Sequence, residues 1–76
     1  MIREHETVVL TEDLPSECLK AGDVGAVVHV YREGEAYEVE FVTLAGDTVA
    51  IATLGPRQLR SVGAGDLAHV RELHAA

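Results

Sequence analysis

The sequence predicts a mainly β protein, a small barrel of five short strands with a short C-terminal helix. Three observations support this fold class. Residues 37–42 alternate apolar and acidic side chains, as a half-buried strand does. Short turn sequences separate this segment from its neighbours. The stretch "LKAGDVGAVVHVY" at 19–31 places a Gly-Asp-x-Gly corner directly before a run of valines, as expected where a loop bends into a curled sheet.

The first two strands are predicted from their β-branched residues. Strand one covers His5–Thr11, and strand two covers Val24–Tyr31. The intervening residues 12–23 lack a sustained period and predict a long loop, in which Asp13–Leu19 has room for one helical turn. Simple alternation along strand two places Val24, Ala26, Val28 and Val30 on one face, and Val27, His29 and Tyr31 on the other.

Strands three and four are predicted to complete an antiparallel meander. Strand three covers Tyr37–Val42 and strand four covers Thr48–Leu54. The turns at 32–36 and 43–47 are short enough to join neighbouring antiparallel strands. In strand three we expect Tyr37, Val39 and Phe41 to face the core and Glu38 and Glu40 to face water.

The remaining residues predict a fifth strand and a helix. Gly55 and Pro56 break the chain before a 3₁₀ turn over 56–59 and a brief strand over 59–62. Asp66 is a suitable N-cap for a helix over about 66–74, with Leu67, Val70 and Leu73 on one side. These elements predict one SH3-like domain over residues 1–76, with the barrel at about 4–62.

Composition bounds the class of protein further. The 76 residues include a single cysteine and no apolar run long enough to cross a membrane, and the acidic N-terminal sequence has no signal-peptide pattern. We therefore expect a cytoplasmic protein without a membrane partner.

The charge distribution is uneven. The net charge is −7, and residues 1–47 alone carry eleven acids and three bases. An acidic surface repels phosphate backbones and attracts basic partners, so we expect a protein partner in preference to a nucleic acid.

The chain resembles a known family along most of its length. The segments "TVVLTEDLP", "LKAGDVGAVVHVY", "EAYEVEFVTLAGDTVAIATL" and "LAHVREL" together resemble the small prokaryotic family catalogued as domain of unknown function 4926, over about Glu4–Leu73. The resemblance implies a stand-alone bacterial or archaeal domain with an SH3-like barrel and no established activity.

A fainter resemblance points to a different function. The residues Gly25-Ala26-Val27-Val28 resemble the start of a strand in KOW-type barrels, which usually face RNA or a protein. A KOW-like nucleic-acid-binding barrel is therefore an alternative function. Only Lys20 and Arg32 are basic between positions 4 and 56, which departs from that pattern.

No residue pattern predicts catalysis, a metal or a cofactor. Glu38 and Glu40 would lie about 7 Å apart on a solvent-exposed strand face, where a paired-carboxylate active site, which needs a cleft, is not expected. The four histidines have no metal-ligand spacing, although His29 facing Glu38 or Glu40 would make an adventitious metal site. We therefore expect a non-enzymatic protein.

The remaining prediction is a surface that binds another protein. SH3-like barrels bind through loops beside the sheet, with aromatic side chains supplying contact area. We expect an accessory or neutralising partner of a neighbouring gene product, such as a small toxin. The candidate contact residues are Tyr31, Arg32, Glu33, Glu35, Tyr37, Glu38 and Glu40. Two alternatives stay open: Tyr37 as a plain core residue, and a structural homo-oligomer, for example a dimer formed through the apolar side of the helix.

Overall fold

The computed structural model describes residues 2–73, and its five strands form one antiparallel sheet. The strands are β1 (Thr7–Leu10), β2 (Val24–Tyr31), β3 (Ala36–Val42), β4 (Thr48–Leu54) and β5 (Leu59–Ser61). Their order in the sheet is β4-β3-β2-β1-β5. The mainly β class and the β2–β3–β4 meander are confirmed, and the closure of this sheet into a barrel stays a prediction.

Alternation along β3 builds the core. Tyr37, Val39 and Phe41 are buried, and they pack with buried residues from β1, β2, β4, β5 and the β1–β2 loop. That loop contains a 3₁₀ helix at Pro15–Glu17, within the segment for which one helical turn was predicted. The other buried members of the cluster are Val8, Leu10, Leu19, Val27, Leu54 and Leu59.

A β-bulge changes the faces predicted for β2. Val27 pairs with Val39, but the next pair is His29 with Glu38, so Val28 is an extra residue without an opposite partner. Val27 and Val30 therefore both contact the core, whereas Val28 is 41% exposed. The predicted grouping of Val28 with Val30 on one face is wrong, because the bulge shifts the alternation by one residue.

Gly25 allows β2 and β3 to approach closely. A Cβ atom added there would lie 2.7 Å from Val39 Cγ1 and 2.9 Å from the Glu40 carbonyl oxygen. Such distances are shorter than van der Waals contact, and one of the two atoms belongs to backbone that cannot move freely. Gly25, the second glycine of the Gly-Asp-x-Gly corner, is thus required by the packing between the two strands.

The predicted C-terminal helix over about 66–74 is wrong for residues 66–73, which have no helical structure; residue 74 lies outside the described residues. The 3₁₀ turn predicted over 56–59 is observed one residue earlier as a single i→i+3 turn, in which the Gln58 N–H donates to the Gly55 carbonyl, and it does not extend into a 3₁₀ helix. In the described part of the chain no helix is long and apolar enough to cross a membrane.

The side chain of Asp66 explains why no helix begins there. It accepts hydrogen bonds from the Gly63 N–H at 2.6 Å and from both terminal nitrogens of Arg60 at 2.8 and 3.0 Å. Its carboxylate thus closes a turn on the preceding residues instead of capping amides that follow. Leu67 and Val70 are 94% and 72% exposed, so a helix here would bury little, and isolated helices this short are marginal in water.

Replacing Gly25→Ala should lower the free energy of unfolding by about 1–3 kcal/mol, because the added methyl group overlaps the β3 backbone. Urea denaturation measures the change. Gly65→Ala is the matched control, because no atom lies within 4 Å of its added Cβ, and its effect should stay within about 0.5 kcal/mol. Equal effects of the two substitutions would contradict the close approach of β2 and β3.

The carboxyl of Asp66 should titrate far below the usual range. The Arg60 guanidinium, followed by the Gly63 N–H, lowers the pKa of Asp66 from 3.8 to about 2. Because the pKa is depressed in the folded protein, the stabilisation of the turn by the Asp66 carboxylate is fully present above the ordinary pKa of 3.8. It is lost as the pH falls through about 2. Carboxyl-carbon NMR should give that midpoint, and Arg60→Gln should move it back towards 3.8. A midpoint near 3.8 in the unsubstituted protein would rule out the ion pair.

Candidate functional site

The outward face of β2, β3 and β4 carries the candidate site. Because three alternate side chains of β3 fill the core, Glu38 and Glu40 lie on the opposite face. Strand pairing on both sides of β3 fixes the neighbours of each carboxylate. The register gives two rows across the sheet, His29–Glu38–Thr53 and Ala26–Glu40–Ile51.

Threonine hydroxyls of β4 hold both carboxylates. Thr53 Oγ1 donates to Glu38 Oε1 at 2.6 Å, and Thr48 Oγ1 donates to Glu40 Oε2 at 2.8 Å. A carboxylate has about four acceptor positions, so each glutamate keeps capacity for further donors. The two side chains are therefore oriented on the sheet while still able to accept hydrogen bonds from another molecule.

Exposed apolar residues surround Glu40. Val24, Val42 and Ile51 are 53%, 48% and 55% exposed. A shallow depression beside them is lined by Thr7, Val24, Gly25, Ala26, Glu40 and Val42. We call this surface the Glu40 depression; it combines one carboxylate with an apolar lining.

A second acidic group lies next to His29. The Nδ1 atom of His29 is 3.6 Å from Glu4 Oε2, and both side chains are about half exposed. The ring of Tyr31 packs edge-on against the His29 ring, with 4.5 Å between the centroids. Tyr31 is 38% exposed, so it presents aromatic surface beside these charges.

The β2–β3 turn holds three further predicted contact residues. Arg32 and Glu33 adopt left-handed φ angles of 44° and 59°, followed by Gly34 at 106°. Arg32 Nη1 lies 4.0 Å from Glu35 Oε2 with both side chains mostly exposed, so this ion pair contributes little to stability. The turn therefore presents Arg32, Glu33 and Glu35 to solvent.

Tyr37 differs from the other predicted contact residues. It is only 5% exposed and belongs to the core, which is the alternative that the sequence left open. Its hydroxyl lies near Gly34, where an added Cβ would be 2.9 Å from that oxygen. Tyr37 supports the turn from below, whereas Tyr31 is the aromatic residue on the surface.

The geometry of the titratable groups offers no metal cluster in the described ranges. Among residues 2–73, no three His, Cys, Asp or Glu side chains converge on a possible metal position. His29 does face Glu38 in the strand register, as predicted. The carboxylate within ion-pair distance of the His29 ring is instead that of Glu4.

Half of the basic side chains lie against carboxylates. The chain has six Lys and Arg residues, and three are paired, as Arg32–Glu35, Arg60–Asp66 and Arg71–Asp23. These pairs reduce the positive charge that a phosphate backbone would contact. The KOW-like alternative stays a prediction without a specific observation in its favour.

Sequence reasoning missed the exposed apolar residues that surround Glu40. Val24 and Ile51 are far apart in the chain and meet Glu40 only through the register of three strands. The "TLAGD" turn joins β3 to β4, so counting outward from it along both strands would have placed Ile51 opposite Glu40 to within one residue. The bulge between Phe41 and Val42 limits that count.

Comparison with known proteins gives one family match. A family model described as "Domain of unknown function (DUF4926)" matches residues 4–61, which is more than half of the chain. This confirms the family suggested by the sequence, although the match ends before the "LAHVREL" segment. No curated protein and no solved structure matches the chain.

Proposed function

The chain belongs to the DUF4926 family, and we propose that it is a non-enzymatic protein-binding module whose acidic sheet face binds a basic segment of a partner. The Glu40 depression carries this proposal. Lysine and arginine side chains have an apolar stem and a charged end. A carboxylate beside exposed valines matches both parts of such a side chain.

The fold we propose for this module is an SH3-like barrel. The sheet order β4-β3-β2-β1-β5 supports it, because β1 joins the meander to the short β5. Two bulges, in β2 and between β3 and β4, supply the local bending that closure of a small sheet requires. A barrel this small is filled by its own side chains, which leaves its outer surface for binding.

Charge supports the choice of a basic partner. Glu4, Glu38 and Glu40 lie on or beside the same face, and residues 1–47 carry most of the acidic charge. An acidic face steers a basic partner towards itself and raises the rate of association at low salt. We place this encounter in the cytoplasm of a bacterium, with the product of a neighbouring gene as partner and neutralisation of a small toxin as one form of it.

Co-expression with adjacent reading frames and pull-down through the tagged chain tests the proposal. A captured basic partner should be lost between about 50 and 500 mM salt, because exposed charge pairs are screened. Glu40→Gln should weaken its binding about tenfold. Glu17→Gln is the matched control, since Glu17 is exposed in the 3₁₀ helix and carries the same charge. If the amount of captured partner changes neither with salt nor with Glu40→Gln, the proposal is contradicted.

A structural homodimer is the second candidate function, and the edge of the sheet favours it. β4 is an edge strand of seven residues without a charge or a proline. Within residues 2–73, β4 pairs through its backbone with β3 alone. Natural proteins usually protect such edges with charges, because unpaired strands associate with one another.

In β4, Ala50 and Ala52 flank the central Ile51, and Val49 and Thr53 at the next positions are both β-branched. Thr48-Val49-Ala50-Ile51-Ala52-Thr53-Leu54 would pair with a second antiparallel copy, with Ile51 at the two-fold axis. Such pairing would join two sheets into one.

Sedimentation of the full chain over a hundredfold concentration range measures this association. The dimer model predicts a concentration-dependent dimer that Ile51→Lys abolishes. Val28→Lys is the control, since it adds the same charge at an exposed valine of an interior strand. A monomer at every concentration would reject the dimer.

A further inference from the structure

The guanidinium of Arg71 is held in a groove formed by the β1–β2 loop. Its Nε donates to Asp23 Oδ1 at 2.8 Å and its Nη2 donates to Asp23 Oδ2. The same Nη2 donates to the Cys18 carbonyl at 3.1 Å. A bidentate contact with one carboxylate plus a backbone carbonyl fits the planar fork of arginine and would not be reproduced by lysine.

Hydrogen bonds within the loop hold the acceptors in place. The Lys20 N–H donates to Asp23 Oδ2 at 2.8 Å, and the Ala21 N–H donates to Asp13 Oδ1 at 2.9 Å. Leu14 and Leu19 exchange two backbone bonds across the 3₁₀ helix. None of these bonds involves Arg71, so the groove is organised by the loop itself.

This ion pair is more shielded than the other Arg–carboxylate pairs. The side chains of Arg71 and Asp23 are 31% and 18% exposed, compared with 51% and 32% for Arg60 and Asp66. The hydrogen bond from Arg71 is the main cause that lowers the pKa of the Asp23 carboxyl. Leu73 lines the same groove, together with Pro15 and Leu19.

The segment that carries Arg71 is otherwise poorly attached. Between Asp66 and Arg71, Leu67 and Val70 are 94% and 72% exposed. Within residues 66–73, the one backbone–backbone hydrogen bond is that from the Asp66 N–H to the Gly63 carbonyl. The family match ends at residue 61, so the groove lies inside the family domain and the segment that fills it lies outside.

We propose that this groove is an arginine-recognition site, occupied in cis by residues 66–73, from which an arginine-bearing segment of a partner protein displaces them. The fitting ligand has an arginine and, two residues later, an apolar side chain, as in Arg71-Glu72-Leu73. The site is separate from the Glu40 depression and does not depend on the function proposed for it.

The short tether sets the strength of the competition. A segment held a few residues from its site acts at an effective concentration on the order of millimolar. A free peptide of equal affinity in the micromolar range therefore cannot displace it, so a displacing partner segment must bind more tightly or be held near the groove by a second contact. Removing the arginine side chain opens the groove. The chains with an empty and with an occupied groove differ only by Arg71→Ala. Comparing the binding of one peptide to these two chains therefore measures the competition.

NMR titration of the full-length Arg71→Ala chain with a synthetic peptide copying residues 66–73 tests the proposal. Saturable shifts are expected at the amides of Cys18, Lys20 and Asp23, with at least tenfold weaker binding to the unsubstituted chain. The same peptide carrying Arg71→Gln should not bind. That peptide control leaves the Arg71→Ala chain unchanged, so it remains informative even where the additional Asp23→Asn substitution causes misfolding.

Two further variants assign the contact. Asp23→Asn combined with Arg71→Ala should lose the peptide, whereas Asp47→Asn in the same background should keep it. Glu40→Gln should also keep it, which separates this site from the Glu40 depression. Absence of shifts at about 10 mM peptide would overturn the proposal. So would equal binding by the substituted and unsubstituted chains, or an unsubstituted dimer that Arg71→Ala dissolves, since the occupant would then be a second copy.

Discussion

The two-residue period of β3 is the constraint on which the rest of the structure depends. This strand is paired on both sides, so its alternation cannot slip without moving every side chain to the wrong face. Tyr37, Val39 and Phe41 fill the core because of that period, and Glu38 and Glu40 are left on the surface for the same reason. The core and the candidate binding face are therefore two consequences of one register.

Local sequence signals predicted most of the sheet. The bounds of β2 and β4 were predicted as they are observed, and β3 begins one residue earlier than expected. Alternation and turn residues act over a few positions, so the sequence alone reveals them. The carboxylates of the candidate site followed from the same alternation.

The features that sequence reasoning missed depend on distant residues. The bulge at Val28 is a property of the β2–β3 pairing, and the lining of the Glu40 depression needs the register of three strands. The helix predicted near the C-terminus was wrong because Asp66 binds Arg60 and Arg71 binds Asp23, 48 positions away. Periodicity within a segment carries no information about such ion pairs, whether they join residues six positions apart or 48.

Hydrogen exchange of the backbone amides tests the central role of β3 most directly. The account predicts the slowest exchange at residues 37–42, because this interior strand is paired on both sides and packed over the core, and fast exchange at residues 67–70. Protection at 67–70 equal to that of a helix, or exchange in β3 as fast as at the outer edge of β4, would contradict it.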